Sequence, residues 1–385
     1  MKYDFETIYD RRENSRKWIP VRKYDDIIVP FSVADMEFMT APEIKRELKK
    51  YIDDNILGYT VKTEEYLEEI VKWQNKIHNV IIKKDYIVPT PGVVNALYNA
   101  VLSYTCEGDG VIVFMPSYPP FIQSIEYAKR NPVKISLKNN SGYYTFDFSK
   151  FEEEASKKEN TMIILCNPHN PVGRVWKKEE LEKIFEIASK NNLFIISDEI
   201  WSDITFNGIK TSSFLNISKN YKKLLVSTSA SKTFNLAGLG ASNIIIPDYE
   251  YRKKFIKEMK KSHVSVNALG LAGTYAAYKY GEEWMKEMLD VVYNNYKYAK
   301  EFLENNIKGS VVSPLEGTYA IWVDLRCLGK KTEELEKFMV ENACFYTNEG
   351  YKFGVEGEGF ERINIAVPEK ALKRALNRLK DALDS

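Results

Sequence analysis

Four cysteines in 385 residues leave little for thiol chemistry to explain. Cys106, Cys166, Cys327 and Cys344 lie far apart and form no CxxC pair. His169 alone stands near one of them, and Cys166 with His169 cannot complete a zinc site. Unpaired thiols in core-like runs point to a reducing compartment, so a cytoplasmic location is expected. Charge of one sign is also missing. With 55 basic and 54 acidic residues the net charge is +1, so no field draws in nucleic acid or an anionic membrane. No apolar run approaches the roughly 20 residues of a membrane span. The opening Met1-Lys-Tyr-Asp-Phe-Glu6 places charges where a signal peptide needs an apolar stretch. Internal repeats, low-complexity segments and Ser/Gly linkers are absent too.

What remains is an ordinary soluble composition, 44% hydrophobic and 28% charged, in a chain long enough for two domains. Seven short apolar runs read as strands: Tyr86–Pro89, Gly110–Met115, Val133–Leu137, Thr161–Cys166, Leu193–Ser197, Leu224–Thr228 and Asn243–Ile246. They are continuous rather than alternating, which suits strands covered on both faces. Helical periodicity separates them, as in Leu181, Ile184, Phe185 and Ala188. The expected fold is therefore α/β, a mostly parallel seven-stranded sheet with helices on both faces. From about Trp284 a long helix carries Met288, Leu289, Val292, Tyr293 and Tyr296 on one face. Strand-like Gly317–Leu325 and Glu361–Val367 follow, then a closing helix with Leu372, Ala375, Leu376 and Leu379. These suggest a smaller α+β domain, with a large domain over residues 46–283 and a small one from residues 1–45 and 284–385.

Three polar residues stand just past apolar runs: Asn170 in Asn167-Pro-His-Asn-Pro-Val-Gly173, Asp198 in Ile195-Ile-Ser-Asp-Glu-Ile200, and Lys232 in Ser229-Ala-Ser-Lys-Thr-Phe-Asn235. In a parallel sheet, ligands bind beyond the carboxyl ends of strands. A lysine, a carboxylate and an amide presented there are the parts needed to hold pyridoxal 5'-phosphate (PLP). Lys232 would anchor the coenzyme as a Schiff base and later serve as general base. Asp198 would pair with the ring N–H, which offsets the cost of burying a carboxylate. The plainer alternative is that Ser197 or Asp198 caps a helix through Glu199–Asp203. Asn170 would donate to the phenolic oxygen, or simply belong to an Asn-Pro turn. Thr90-Pro-Gly-Val-Val94 closes a strand and opens a helix. Amides near Gly92, Val93 and Val94 would meet a phosphate there, with hydroxyls from Ser229 and Ser231. No metal is called for.

This constellation resembles the fold-type-I PLP enzymes, the aspartate aminotransferase superfamily. Asn14-Ser-Arg-Lys-Trp18 and Phe31-Ser-Val-Ala-Asp-Met-Glu-Phe38 are similar to its cystathionine β-lyase / C–S lyase branch. The likeness runs from about residue 5 to residue 380. It implies that Tyr118 lies over the coenzyme ring, that Arg362 grips the substrate carboxylate, with Asn170 beside it, and that residues 1–45 pack with the small domain. It also implies a homodimer in which Tyr59 reaches the neighbouring subunit's phosphate. From the residues alone, Tyr118 and Tyr59 are equally two of 25 tyrosines. Arg362 is equally a surface arginine on an edge strand. In Asp198-Glu-Ile-Trp201 the branch often carries His where this chain has Trp201, which does no acid–base work. The expected activity is β-elimination from L-cystathionine or another cysteine S-conjugate, with an aminotransferase as the alternative. A PLP-sensing regulator is a third reading, but no basic recognition helix is present.

Overall fold

The structure, a computed structural model, describes residues 1–384. Among the described residues, thirteen strands occur in chain order. The first three are β1 (Ile87–Thr90), β2 (Gly110–Met115) and β3 (Asn131–Ser136). A hairpin of β4 (Lys138–Asn140) and β5 (Tyr143–Thr145) follows. Then come β6 (Asn160–Cys166), β7 (Phe194–Asp198), β8 (Leu224–Thr228) and β9 (Ser242–Ile245). A second sheet contains β10 (Val311–Val312), β11 (Ala320–Asp324), β12 (Asn348–Glu349) and β13 (Phe360–Asn364).

The seven expected strands form one sheet, in the order β1-β9-β8-β7-β6-β2-β3. All neighbours run parallel except β9, which is antiparallel to both β1 and β8. Strands β2, β7 and β8 are buried at every position, which explains their unbroken apolar runs. Register then aligns chemistry. Cys166 lies opposite Asp198, and Asp198 opposite Ser227, at the carboxyl ends of β6, β7 and β8.

The second sheet, β10-β11-β13-β12, is wholly antiparallel. β13 lies inside it, so Arg362 is not on an edge strand; only 4% of its surface is exposed. The long helix Glu282–Asn306 buries Trp284, Met288, Val292 and Tyr296. The closing helix Glu369–Asp384 buries Leu372, Ala375, Leu376 and Leu379 at helical spacing.

Residues 31–38 form a strap between the second sheet and the segment that follows β8. Asn364 Nδ2 donates to the carbonyls of Val33 and Asp35, both at 2.7 Å. Asn235 Nδ2 donates to those of Met36 (3.1 Å) and Phe38 (3.0 Å), and its Oδ1 accepts from Met36 N. Lys17, fully buried, clamps the strap from the other side. Its Nζ lies 3.0 Å from Glu37 Oε1 and 3.1 Å from the Asp35 carbonyl. Arg11 bridges Asp35 and Glu37, and Trp18 Nε1 donates to Glu37 Oε2. A buried ion cluster is costly to break by removing one partner. Glu37→Gln leaves the Lys17 charge undercompensated, and we expect a loss of roughly 3 kcal/mol. Urea unfolding checks this; an unchanged midpoint would show that the cluster adds nothing.

Candidate active site

One cleft opens at the carboxyl ends of the parallel strands. It is lined by Gly92, Val93, Val94, Tyr118, Cys166, Asn170, Asp198, Trp201, Ser229, Ser231 and Lys232, together with Ala34 of the strap. Every residue named from the sequence for this cleft is in its wall, except Arg362, which stands behind Asn170, and Tyr59. Arg362 Nη1 donates to Asn170 Oδ1 at 3.0 Å, and Nη2 to Asn348 Oδ1 at 2.6 Å. Its Nε is buried without a partner among the described residues. Tyr59 is fully exposed and does not reach the cleft of its own chain.

Asp198 ends β7 and is 3% exposed. No helix follows it. Residues 200–203 form a turn instead, so the helix-cap alternative fails. The carboxylate does serve that turn, because Oδ1 accepts from Ile200 N (3.2 Å) and from Ser227 Oγ (2.8 Å). Its other oxygen is left for the cleft. Burial pushes the Asp198 pKa up to about 6, against the opposing pull of these two hydrogen bonds and of Lys232. The turn is fixed by Asp203, which accepts from Trp73 Nε1, pairs with His78 and accepts from Thr233 Oγ1 at 2.7 Å. That last bond ties the turn to the residue after Lys232.

Lys232 belongs to a single helical turn, Ala230–Thr233, capped by Ser229. Lys232 is half-buried in the wall of the cleft. Nζ donates to the Ala34 carbonyl at 2.7 Å and lies 5.3 Å from the centre of the Trp201 ring. Burial brings its pKa down to about 8, aided by the Arg362 charge and resisted by Asp35 and Asp198. Lys232 and Asp198 make no salt-bridge contact.

The phosphate end is open. Gly92 precedes the helix Val93–Tyr104 with φ +108°, and no side chain caps that helix. A Cβ on Gly92 would meet nothing within 4 Å, so free space lies against the first-turn amides. The two serines differ. Ser229 Oγ is spent on the Ala241 carbonyl and on Ser231 N, whereas Ser231 Oγ has no partner among the described residues. Tyr118 is half-buried with its ring in the wall, and burial raises its hydroxyl pKa.

An uncapped helix start, a free hydroxyl, a carboxylate oxygen without a partner and an easily deprotonated amine fit PLP: phosphate, pyridine nitrogen and aldehyde each find a group. Asn170 fits as well, because Arg362 takes its carbonyl oxygen and leaves Nδ2 to donate. Among the described residues no group of three metal-ligating side chains occurs.

Residues 26–379 match the model of the class I and II aminotransferases. The chain belongs to this family. Its likeness to particular members is end to end. Cystathionine beta-lyase PatB of Bacillus subtilis is 34% identical over 384 residues, covering 97% of this chain and 99% of that protein. The crystal structure of cystalysin from Treponema denticola, which contains a pyridoxal 5'-phosphate cofactor, matches with a TM-score of 0.97 at 40% identity. It covers 100% of this chain and 99% of cystalysin. The PLP-bound C-S lyase from Staphylococcus hominis matches with a TM-score of 0.94 at 32% identity, covering 100% and 99%.

Four participants escaped sequence reasoning as site residues. Ala34 acts through a backbone carbonyl, which carries no side-chain signature. Tyr319, whose hydroxyl donates to that same carbonyl at 2.8 Å, lies far along the chain. Asn348 and Ser227 are polar partners of Arg362 and Asp198. Only Ser227, a hydroxyl inside the apolar run of β8, left a readable trace.

The lowered amine pKa has a direct consequence. Schiff-base formation needs the neutral amine, which predominates above about pH 8 here rather than above the usual 10.5. PLP uptake by the apoprotein, followed by absorbance, is expected to rise with pH and level off just above 8. A rise continuing to pH 10 would contradict the lowered amine pKa.

Proposed function

We propose that this chain is a PLP-dependent C–S β-lyase. It cleaves L-cystathionine or another cysteine S-conjugate to a thiol, pyruvate and ammonia. One observation carries the reading: Lys232, Asp198 and Asn170 share a single enclosed cleft, with Arg362 bonded to Asn170, in a chain similar along its whole length to C–S lyases.

Bound PLP supplies an electron sink for the pair left on Cα when its proton departs. Everything else falls to the protein. Arg362 would offer its unpartnered Nε–H and remaining Nη–H to the substrate carboxylate and so orient the amino acid. Asp198, with a pKa near 6, is anionic at neutral pH and holds a proton on the ring nitrogen. Asn170 Nδ2 donates to the phenolic oxygen. Lys232 would anchor the coenzyme through its amine and, once free, would take the Cα proton. The Cβ–S bond breaks and its electron pair leaves with sulfur, which is protonated to the thiol. The released enamine is hydrolysed by water to pyruvate and ammonia. Transamination begins with the same proton transfer, so the decision lies in what leaves. Incubation with L-cystathionine and no 2-oxo acid is expected to give continuous pyruvate and thiol. Turnover only when a 2-oxo acid is added would make the enzyme an aminotransferase.

The reading extends to assembly. Ile56 (95% exposed), Leu57, Tyr59 and Val61 form an apolar, solvent-facing segment beside a groove of Tyr51, Val61, Tyr66, Leu271 and Tyr275. A second copy of the chain would cover it, forming a homodimer in which Tyr59 completes the neighbour's phosphate site. Residues 46–283 would form the coenzyme-binding unit, and residues 1–45 with 284–385 the smaller one. The free thiols suit the cytoplasm, and no helix among the described residues is long and apolar enough to cross a membrane. Mixing Tyr59→Ala with Lys232→Ala subunits tests the shared site. Exchange between subunits is expected to rebuild one intact site per hybrid dimer and restore lyase activity; a mixture no more active than its parts would confine Tyr59 to its own chain.

A further inference from the structure

The amine of Lys232 sits in a cradle that contains no carboxylate. Nζ donates to the Ala34 carbonyl at 2.7 Å and faces the Trp201 ring at 5.3 Å. No acidic oxygen lies within salt-bridge distance of it among the described residues. The charged groups around it act from further away: Asp35 and Asp198 favour its protonated form and Arg362 opposes it, while Tyr319 and Tyr118 face the same space as neutral phenols.

The cradle is itself braced. Tyr319 packs edge-to-face on Trp201, with ring centres 4.7 Å apart. Its hydroxyl donates to the same Ala34 carbonyl that receives Lys232, at 2.8 Å. A triangle results: one carbonyl accepts from lysine and tyrosine, the tyrosine and indole rings pack at a steep angle, and the lysine amine lies over the indole. Its corners come from the strap, the turn after β7 and the entry to β11. Trp201 is 3% exposed, so the ring cannot turn away into solvent.

We propose that Trp201 is a positioning residue for the acid–base step, holding the Lys232 ammonium on its ring face between proton uptake and release. The proposal rests on the coenzyme reading given above, which makes Lys232 the base of the reaction. The physics favours a π face over a carboxylate. A cation over an aromatic ring is attracted by the ring's negative face, the more so when both are out of water. This attraction helps fix the amine beside Cα. A buried ion pair would instead hold the proton too firmly for a base that must release it each turnover. The indole has no group that titrates near neutrality, so it steadies the charge without competing for the proton.

The test uses the pH midpoint of PLP uptake by apoprotein, a readout independent of turnover. Trp201→Phe keeps a ring face and is expected to keep the midpoint near that of the native chain. Trp201→Leu removes it and is expected to lower the midpoint by roughly half a unit to one unit. Because Trp201→Leu can fail to fold, a second series replaces Trp201 with mono-, di- and tetrafluorotryptophan. These keep the shape and progressively drain the ring's negative face. The expected result is a stepwise fall in midpoint with fluorine count. Uptake with the same midpoint throughout the fluorinated series would overturn the role of Trp201 and leave the coenzyme reading intact. A native chain that takes up no PLP at any pH would overturn both.

Discussion

Two groups of opposite charge, Asp198 buried and Lys232 half-buried, line one cleft and do not pair. Lys232 and Asp198 each pay for enclosure with a shifted pKa, the amine falling to about 8 and the carboxyl rising to about 6. A fold selected only for stability would bring them together or replace them with apolar side chains. Holding them apart leaves room for a flat molecule that is acidic-proton-bearing at one end and electrophilic at the other. The rest of the site follows from that separation. Ser227 and the turn after β7 occupy one oxygen of Asp198, and Ala34 and Trp201 receive the amine of Lys232.

The scaffold keeps the two apart by register. β6, β7 and β8 are parallel neighbours, so their carboxyl ends emerge side by side, with Cys166, Asp198 and Ser227 in one row. Lys232 comes one turn after β8, and Thr233 is tied to Asp203 of the neighbouring turn. The strap 31–38 closes the arrangement. It draws hydrogen bonds from Asn364 of β13 and from Asn235, three residues beyond Lys232. The ion cluster around Lys17 holds Asp35 and Glu37 on either side of Met36, next to the Ala34 carbonyl that receives Lys232.

The central sheet was legible because its strands are covered on both faces and write continuous apolar runs. The one displaced boundary of note, Val133–Leu137 against the observed Asn131–Ser136, falls on β3 at the sheet edge. There only Ile135 is fully buried, and the strand begins with Asn-Pro. The antiparallel insertion of β9 between β1 and β8 has no signature in composition. Lys232, Asp198 and Asn170 stood out because each follows a buried run. The alternative of a helix cap at Asp198 is not realised, since its carboxylate bonds a turn and a serine from the next strand. The strap was recognised only as a family-like segment. Its contribution is a main-chain oxygen, whose partners are set by contacts hundreds of residues away in sequence.

The most direct test is chemical. Holoprotein reduced with borohydride and digested should yield one modified peptide, the one containing Lys232, bearing a phosphopyridoxyl group. The account predicts that label on residue 232 and on no other lysine. Modification elsewhere in this lysine-rich chain, with residue 232 unlabelled, would contradict it.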